Sequence, residues 1–231
     1  MSAGLGSGRN WSALPLGTEK FQWSMEADGP MVQGPLELEF LRGQRMSLAL
    51  GVGQYGLLVR EGALKALYLD GCHHLDIGQK SGQINTDSLL FFLTTEKSID
   101  FRWTTDGSEG FVAADGTPVI GRCSVRIEKP ARFYHRVLRK LNDWSPEAVE
   151  NCLNPLVHKA FKDLLAEICE TGCDHSGGLQ SSLTSLGAHQ LDDFLSEHGL
   201  YCVSVAAYTA APPVENCTDQ TAGQSADLLH N

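Results

Sequence analysis

Several things are missing from this sequence of 231 residues. No stretch approaches the roughly 20 consecutive apolar residues of a membrane-spanning helix. The longest strong apolar run is Leu89 to Leu93. Met1 to Asn10 is rich in Gly and Ser and lacks the apolar segment of a secretory signal. Ser2 stands where myristoylation requires glycine. The seven cysteines are odd in number, scattered, and form no C-x-x-C pair. Reduced thiols in a cytoplasmic protein are the expectation, several of them core filler. Basic residues are few: 18 Lys and Arg stand against 28 Asp and Glu, for a net charge of −10. On that balance, with no basic block, nucleic acid and anionic lipid are poor partners, since cations must neutralise their phosphates. There is no G-x-S-x-G and no paired signature for nucleophilic catalysis, so an enzyme is not expected.

What is present suffices for a core: 42% hydrophobic residues with 20% charged. The stretch from Phe111 to Tyr134 organises the rest. Phe111 to Ala114 reads as a strand, and Asp115-Gly116 suits a two-residue hairpin turn because it tolerates positive φ. From Thr117 to Ile127 the pattern alternates. Val119, Cys123, Val125 and Ile127 point one way, and Arg122, Ser124 and Arg126 the other, as in a half-buried strand. Pro130 then opens a helix with Phe133, Tyr134, Val137, Leu138 and Leu141 on one face.

Upstream, residues 20 to 128 read as consecutive antiparallel strands with short turns. Glu61-Gly62 and Glu96-Lys97 are the expected hairpin tips, and Trp23 is the expected anchor of a strand over Phe21 to Met25. Downstream the period changes. Ser145 is placed to cap a helix, Pro146 fits its first position, and Trp144 can staple onto Val149. The apolar stripe runs from Val149 to Ile168, with Pro155 expected to kink or interrupt it. A second amphipathic helix spans Leu179 to His198, and its narrower stripe is open to meeting a second copy of the chain. Gly199 sits at a C-cap position. Leu200 to Tyr208 returns to strand, with Tyr201, Val203, Val205 and Ala207 on one face.

The order of these pieces resembles a known family. Phe111-Val112-Ala113-Ala114-Asp115-Gly116 precedes Val125-Arg126-Ile127-Glu128-Lys129-Pro130 and Phe133, long helices follow, and Gly199-Leu200-Tyr201-Cys202-Val203 opens a last strand. This resembles the SPFH domain, also called the band 7 or prohibitin-homology domain. Gly53 to Gly62, Leu90-Phe91-Phe92-Leu93 and Phe101-Arg102-Trp103-Thr104 are similar to its soluble bacterial, virion core protein-like branch. The resemblance covers residues 21 to 209. It implies an α+β fold: a curved antiparallel sheet over 21–128, two to three packed helices over 130–198, and a last strand over 200–208. It further implies a non-enzymatic scaffold that forms homo-oligomers and organises partner proteins, in the cytoplasm or peripherally at the inner membrane face. Residues 1–20 are expected as a flexible arm and 210–231 as a disordered tail. Trp11, Leu14, Leu16, Phe21 and Trp23 would supply any lipid contact, but packing or disorder is favoured because the arm lacks a strong apolar face.

Three motifs invite chemistry. Gly51-Val52-Gly53-Gln54-Tyr55-Gly56 is a literal G-x-G-x-x-G, but a strand rather than a helix follows, so a bend between strands is expected. Cys169, Cys173 and His175 have the spacing of three zinc ligands, with His73-His74 as further donors. A soluble zinc- or ligand-binding module is therefore the alternative function, although core thiols and solvated histidines are the favoured reading. His135, His189 and His198 are expected to be exposed, and His158 to lie at the boundary of its helix stripe. Asp192-Asp193 beside Glu197 is expected as a solvated helix face. No catalytic residue, cofactor site or metal site is assigned.

Overall fold

The apolar run Leu89 to Leu93 decides the architecture. A strand that is apolar at every position must be covered on both faces. In the computed structural model, which describes residues 12–13, 20–26, 28–78, 80–103, 111–112, 118–170 and 188–209, this run forms β8 (Leu89–Thr94). It lies inside a sheet ordered β3 (Val32–Glu37), β8, β5 (Gln54–Arg60), β6 (Ala63–Tyr68). Leu90 and Phe92 join Leu58 in one core; Phe91 and Leu93 join Leu57 and Val59 in another.

The first core is a sandwich. Facing that sheet is a second, ordered β1 (Ser12–Ala13), β2 (Lys20–Ser24), β4 (Arg45–Leu50), β7 (Gly71–Asp76). Met46, Leu48 and Leu50 alternate inward from β4 as their spacing predicts, and Leu75 and Ile77 close the layer. Trp23 stacks on Phe92, so it does anchor its strand. Ser12 and Ala13 pair with β2, so part of the expected flexible arm is strand.

The second core lies between the other face of β5 and β8, a third sheet, and the helices. In that sheet β11 (Pro118–Ile127) is central. Along one edge it pairs with β9 (Ser98–Trp103) and β10 (Phe111–Val112), and along the other with β12 (Leu200–Thr209). Cys123, Val125 and Ile127 are buried while Arg122 and Arg126 face solvent, as the alternation predicts. The helices are α1 (Pro130–Arg136), α2 (Pro146–Glu170) and α3 (Ala188–Ser196). Gly121 lets α2 approach closely: a Cβ there would lie 2.6 Å from Phe161 Cε1.

The fold is thus α+β with mostly antiparallel sheets, and it departs from the expected single curved sheet in definite ways. The described residues form three sheets. Among the described strands, the consecutive ones that pair with each other are β1–β2, β5–β6, β10–β11 and β11–β12. The Glu61-Gly62 hairpin stands, with φ of 53° and 69°, the primed-turn geometry. The Glu96-Lys97 hairpin does not, because β3 and β5 already occupy both edges of β8; β9 pairs instead with β11. β2 and β4 are parallel, since the chain crosses to the other sheet as β3 between them. Val112 stands opposite Pro118, whereas an unbroken ladder around a two-residue Asp115-Gly116 turn would set it opposite Val119. The turn itself lies outside the described residues.

The helix expectations resolve one by one. α2 runs unbroken through Pro155. Pro155 and Asn151 are exposed, so the carbonyl that loses its partner can be hydrated. The Pro130 helix is shorter than its apolar pattern: α1 ends at Arg136, and Leu138–Lys140 form a 3₁₀ turn. Ser145 caps α2 by accepting the Ala148 N–H at 3.2 Å, and Trp144 and Val149 both pack into the second core. Gly199, at φ 76°, follows α3, and its carbonyl accepts the N–H groups of Glu128 and Lys129. Leu191 and Leu195 of α3 are buried within the chain's own core, so this part of the stripe does not meet a second copy. Leu179, Leu183 and Leu186 lie outside the described residues. β12 has a register shift opposite Ser124 and Val125. It turns Leu200 and Cys202 inward, then Val205 and Ala207, and leaves Val203 48% exposed; one face does not carry all four predicted residues.

Candidate interaction surfaces

The motifs singled out for chemistry resolve first. Gly51 to Gly56 is a turn and a strand. Gly53 has φ 72°, Gln54 Oε1 accepts the Gly51 N–H at 2.8 Å, and β5 follows, so no helix N-terminus faces this loop. His73 contacts the Leu69 carbonyl through Nε2 at 2.7 Å, and His74 Nδ1 lies 3.0 Å from Ser47 Oγ across the β4–β7 ladder. The two rings point to opposite faces of their strand and do not converge. Cys169 falls at the end of α2 with its side chain outside the described residues, as are Cys173, His175 and His189. Among the described residues no group of three or more His, Cys, Asp or Glu is placed to hold a metal ion. His135 is exposed as expected, whereas His198 is half-buried and sits 3.3 Å from the Phe194 carbonyl. His158 lies edge-on to Trp103 at the helix–sheet boundary. Phe21 and Trp23 pack against the sandwich core rather than standing free for lipid, while Trp11, Leu14 and Leu16 are outside the described residues. No described helix is long and apolar enough to cross a membrane.

Asp192 is not simply solvated. Its carboxylate accepts the Cys202 N–H at 2.9 Å and ties α3 to β12, while Asp193 and Glu197 stay exposed. Behind β12 the thiols of Cys123 and Cys202 lie 3.8 Å apart and buried. The neighbouring thiol and burial both push the Cys123 thiol up, so Cys123 packs as a neutral thiol.

The outer face of the third sheet is polar. Arg122 Nη2 donates to Asp100 at 2.8 Å, and Ser124 donates to the same carboxylate. The Ser124 hydroxyl, then Arg122, hold the Asp100 carboxyl below its ordinary range. Arg102 stands directly opposite Arg122 in the ladder, a like-charge pairing with one carboxylate beside it. Arg126 lies 5.0 Å over the Tyr201 ring.

Cations continue past the strand. Lys129 pairs with Glu128 at 3.3 Å, and Arg132 donates to the Ser196 carbonyl at 3.0 Å. Arg136, Arg139 and Lys140 are exposed and have no ion-pair partner among the described residues. The reason is local: α1 and the turn after it bury Phe133, Tyr134, Val137 and Leu138, which leaves the alternate positions, all cationic or His, facing out. From 118 to 140 there are seven cations and one acid, a net of +6. The helix layer has the opposite balance. Residues 146–170 carry five acids and two lysines, and 188–198 carry three acids and no Lys or Arg, together −6. The absence of a basic block does not hold: the whole-chain balance conceals one. The signal lay in the sequence as a run from Arg122 to Lys140 broken only by Glu128.

No family model matches the chain, and the search of curated proteins finds no match.

Proposed function

We propose that the chain is a non-enzymatic scaffold of the SPFH, or band 7, type, which self-associates and presents surfaces to partner proteins, in the cytoplasm or peripherally at the inner membrane face. One observation carries the reading: the order of elements that the resemblance implies. A long strand feeds a helix with no loop, helices pack over the sheet, and the last strand returns beside the first. β11 leads through Glu128 and Lys129 into α1, and β12 pairs along β11 from Ile127 to Val119. The Gly199 carbonyl clamps the strand-to-helix junction to the start of that last strand. Such a body has rigid faces for neighbours, which suits surface presentation rather than bond-making. Light scattering of the purified chain tests it. A multimer is expected, and a monomer at every accessible concentration would overturn it.

A further inference from the structure

The segregation of charge points to a partner. The belt from Arg122 to Lys140 carries a net of +6 in a chain whose total is −10, so the remainder carries −16. Arg136, Arg139 and Lys140 are exposed and form no ion pair with a described acid; Arg139 lies against the β5–β6 turn beside Gly62. The acidic helices adjoin this belt rather than lying remote from it, because Arg132 Nη1 reaches the carbonyl of Ser196 at the end of α3. Arg132 of the belt and the end of α3 therefore lie side by side.

That adjacency selects among polyanions. A flat anionic membrane or a nucleic-acid duplex seated over Arg132 would also meet Glu197, exposed next to Ser196 at the end of α3, and be repelled by it. A second copy of the chain has no such conflict. It offers an acidic surface to the belt and a cationic one to the helices. About a two-fold axis, adjoining patches of opposite sign satisfy both at once.

We infer that copies of this chain associate by pairing the cationic belt around Arg136, Arg139 and Lys140 with the acidic surface of α3 and the neighbouring part of α2 on another copy. This rests on the reading of the chain as a self-associating scaffold and names the surface it uses. The contact is polar and exposed, so it sets orientation and encounter rate and weakens as salt rises.

Sedimentation velocity on the whole chain tests it, with three altered samples. One carries Arg136→Glu, Arg139→Glu and Lys140→Glu; one carries Asp193→Lys and Glu197→Lys; the third is their equimolar mixture. Near-ultraviolet circular dichroism confirms that each variant keeps its fold. Association of the unaltered chain should weaken about tenfold or more between about 0.05 M and about 1 M salt. Each variant alone should be monomeric at low salt, and the mixture should associate again, because reversed belt meets reversed helices. An unaltered chain that associates with no response to salt or to either variant would overturn this inference and leave the scaffold reading standing. A chain that stays monomeric would overturn both. Capture by phosphatidylserine vesicles that the belt variant abolishes, without change in self-association, would assign the belt to a membrane and overturn the inference.

Discussion

The two cores of the molecule share a wall and are otherwise built on different logic. The sandwich core is closed by strands far apart in the chain: β2 lies beside β4, β7 pairs across β4, and β8 sits between β3 and β5. The second core takes in a run of successive elements, β11, α1, α2 and α3, and is closed by β12, which returns to pair along β11 from far down the chain. One is made of strands alone; the other adds capped, periodic helices to a strand pairing of still longer range. Yet β5 and β8 line both, Leu58, Leu90 and Phe92 on one side and Leu57, Phe91 and Leu93 on the other. A shared wall couples two differently built halves into one cooperative body.

The largest expected effect tests that coupling. Phe92→Ala empties the sandwich and Phe161→Ala the second core, and each should cost about 3–5 kcal/mol. Both should shift a single thermal transition seen by calorimetry. Two separate transitions, each answering to one substitution, would show the halves to be independent. Next is Gly121→Ala, which forces a methyl to within 2.6 Å of Phe161 and against Trp103. It should cost about 1–3 kcal/mol in chemical denaturation, and Phe161→Leu in the same chain should recover part of it.

A smaller change of opposite sign belongs to the sandwich side. Glu61 is a non-glycine residue at φ 53° in the β5–β6 turn. Glu61→Gly should stabilise by a few tenths to about 1 kcal/mol, because the left-handed conformation costs glycine nothing there. A loss of stability would mean that the carboxylate has a stronger role than its 3.9 Å approach to Arg60 suggests. The smallest effect is a pH dependence on the other side. The folded-state pKa of Asp100 is depressed, so its contribution is present above the unfolded carboxylate pKa and is lost as pH falls through the folded value. Asp100→Asn should flatten the acid limb of the stability profile, modestly because the group is partly solvated, and leave neutral-pH unfolding cooperative.

The contrast between the halves also governs what was legible in the sequence. Alternation in β11, the helix start at Pro130, the Ser145 cap and the Gly199 turn are local, and each was readable where it stands. Glu96-Lys97 looked like a hairpin tip by the same local criteria. It failed because both edges of β8 were already taken by strands much earlier in the chain. The parallel pairing of β2 with β4 depends on where β3 goes, which no turn residue announces. In β12 the inserted residue at Val203 reverses the parity of the strand, and nothing in Tyr201 to Ala207 marks it beforehand. The cationic belt was a different omission: every residue of it was visible, but averaging charge over the chain hid it.

Leu93 turns its back on the strands that Leu90 and Phe92 face, and a practical rule follows for anyone dissecting this molecule. A fragment stopped at Thr94 would keep its pleated pair yet leave Leu57, Phe91 and Leu93 bare, an oily flank inviting aggregation. A fragment begun at Ser98 would keep its rods and lose the floor they stand on. Neither piece is a usable stand-in, and only the intact polypeptide offers both sides of that partition covered.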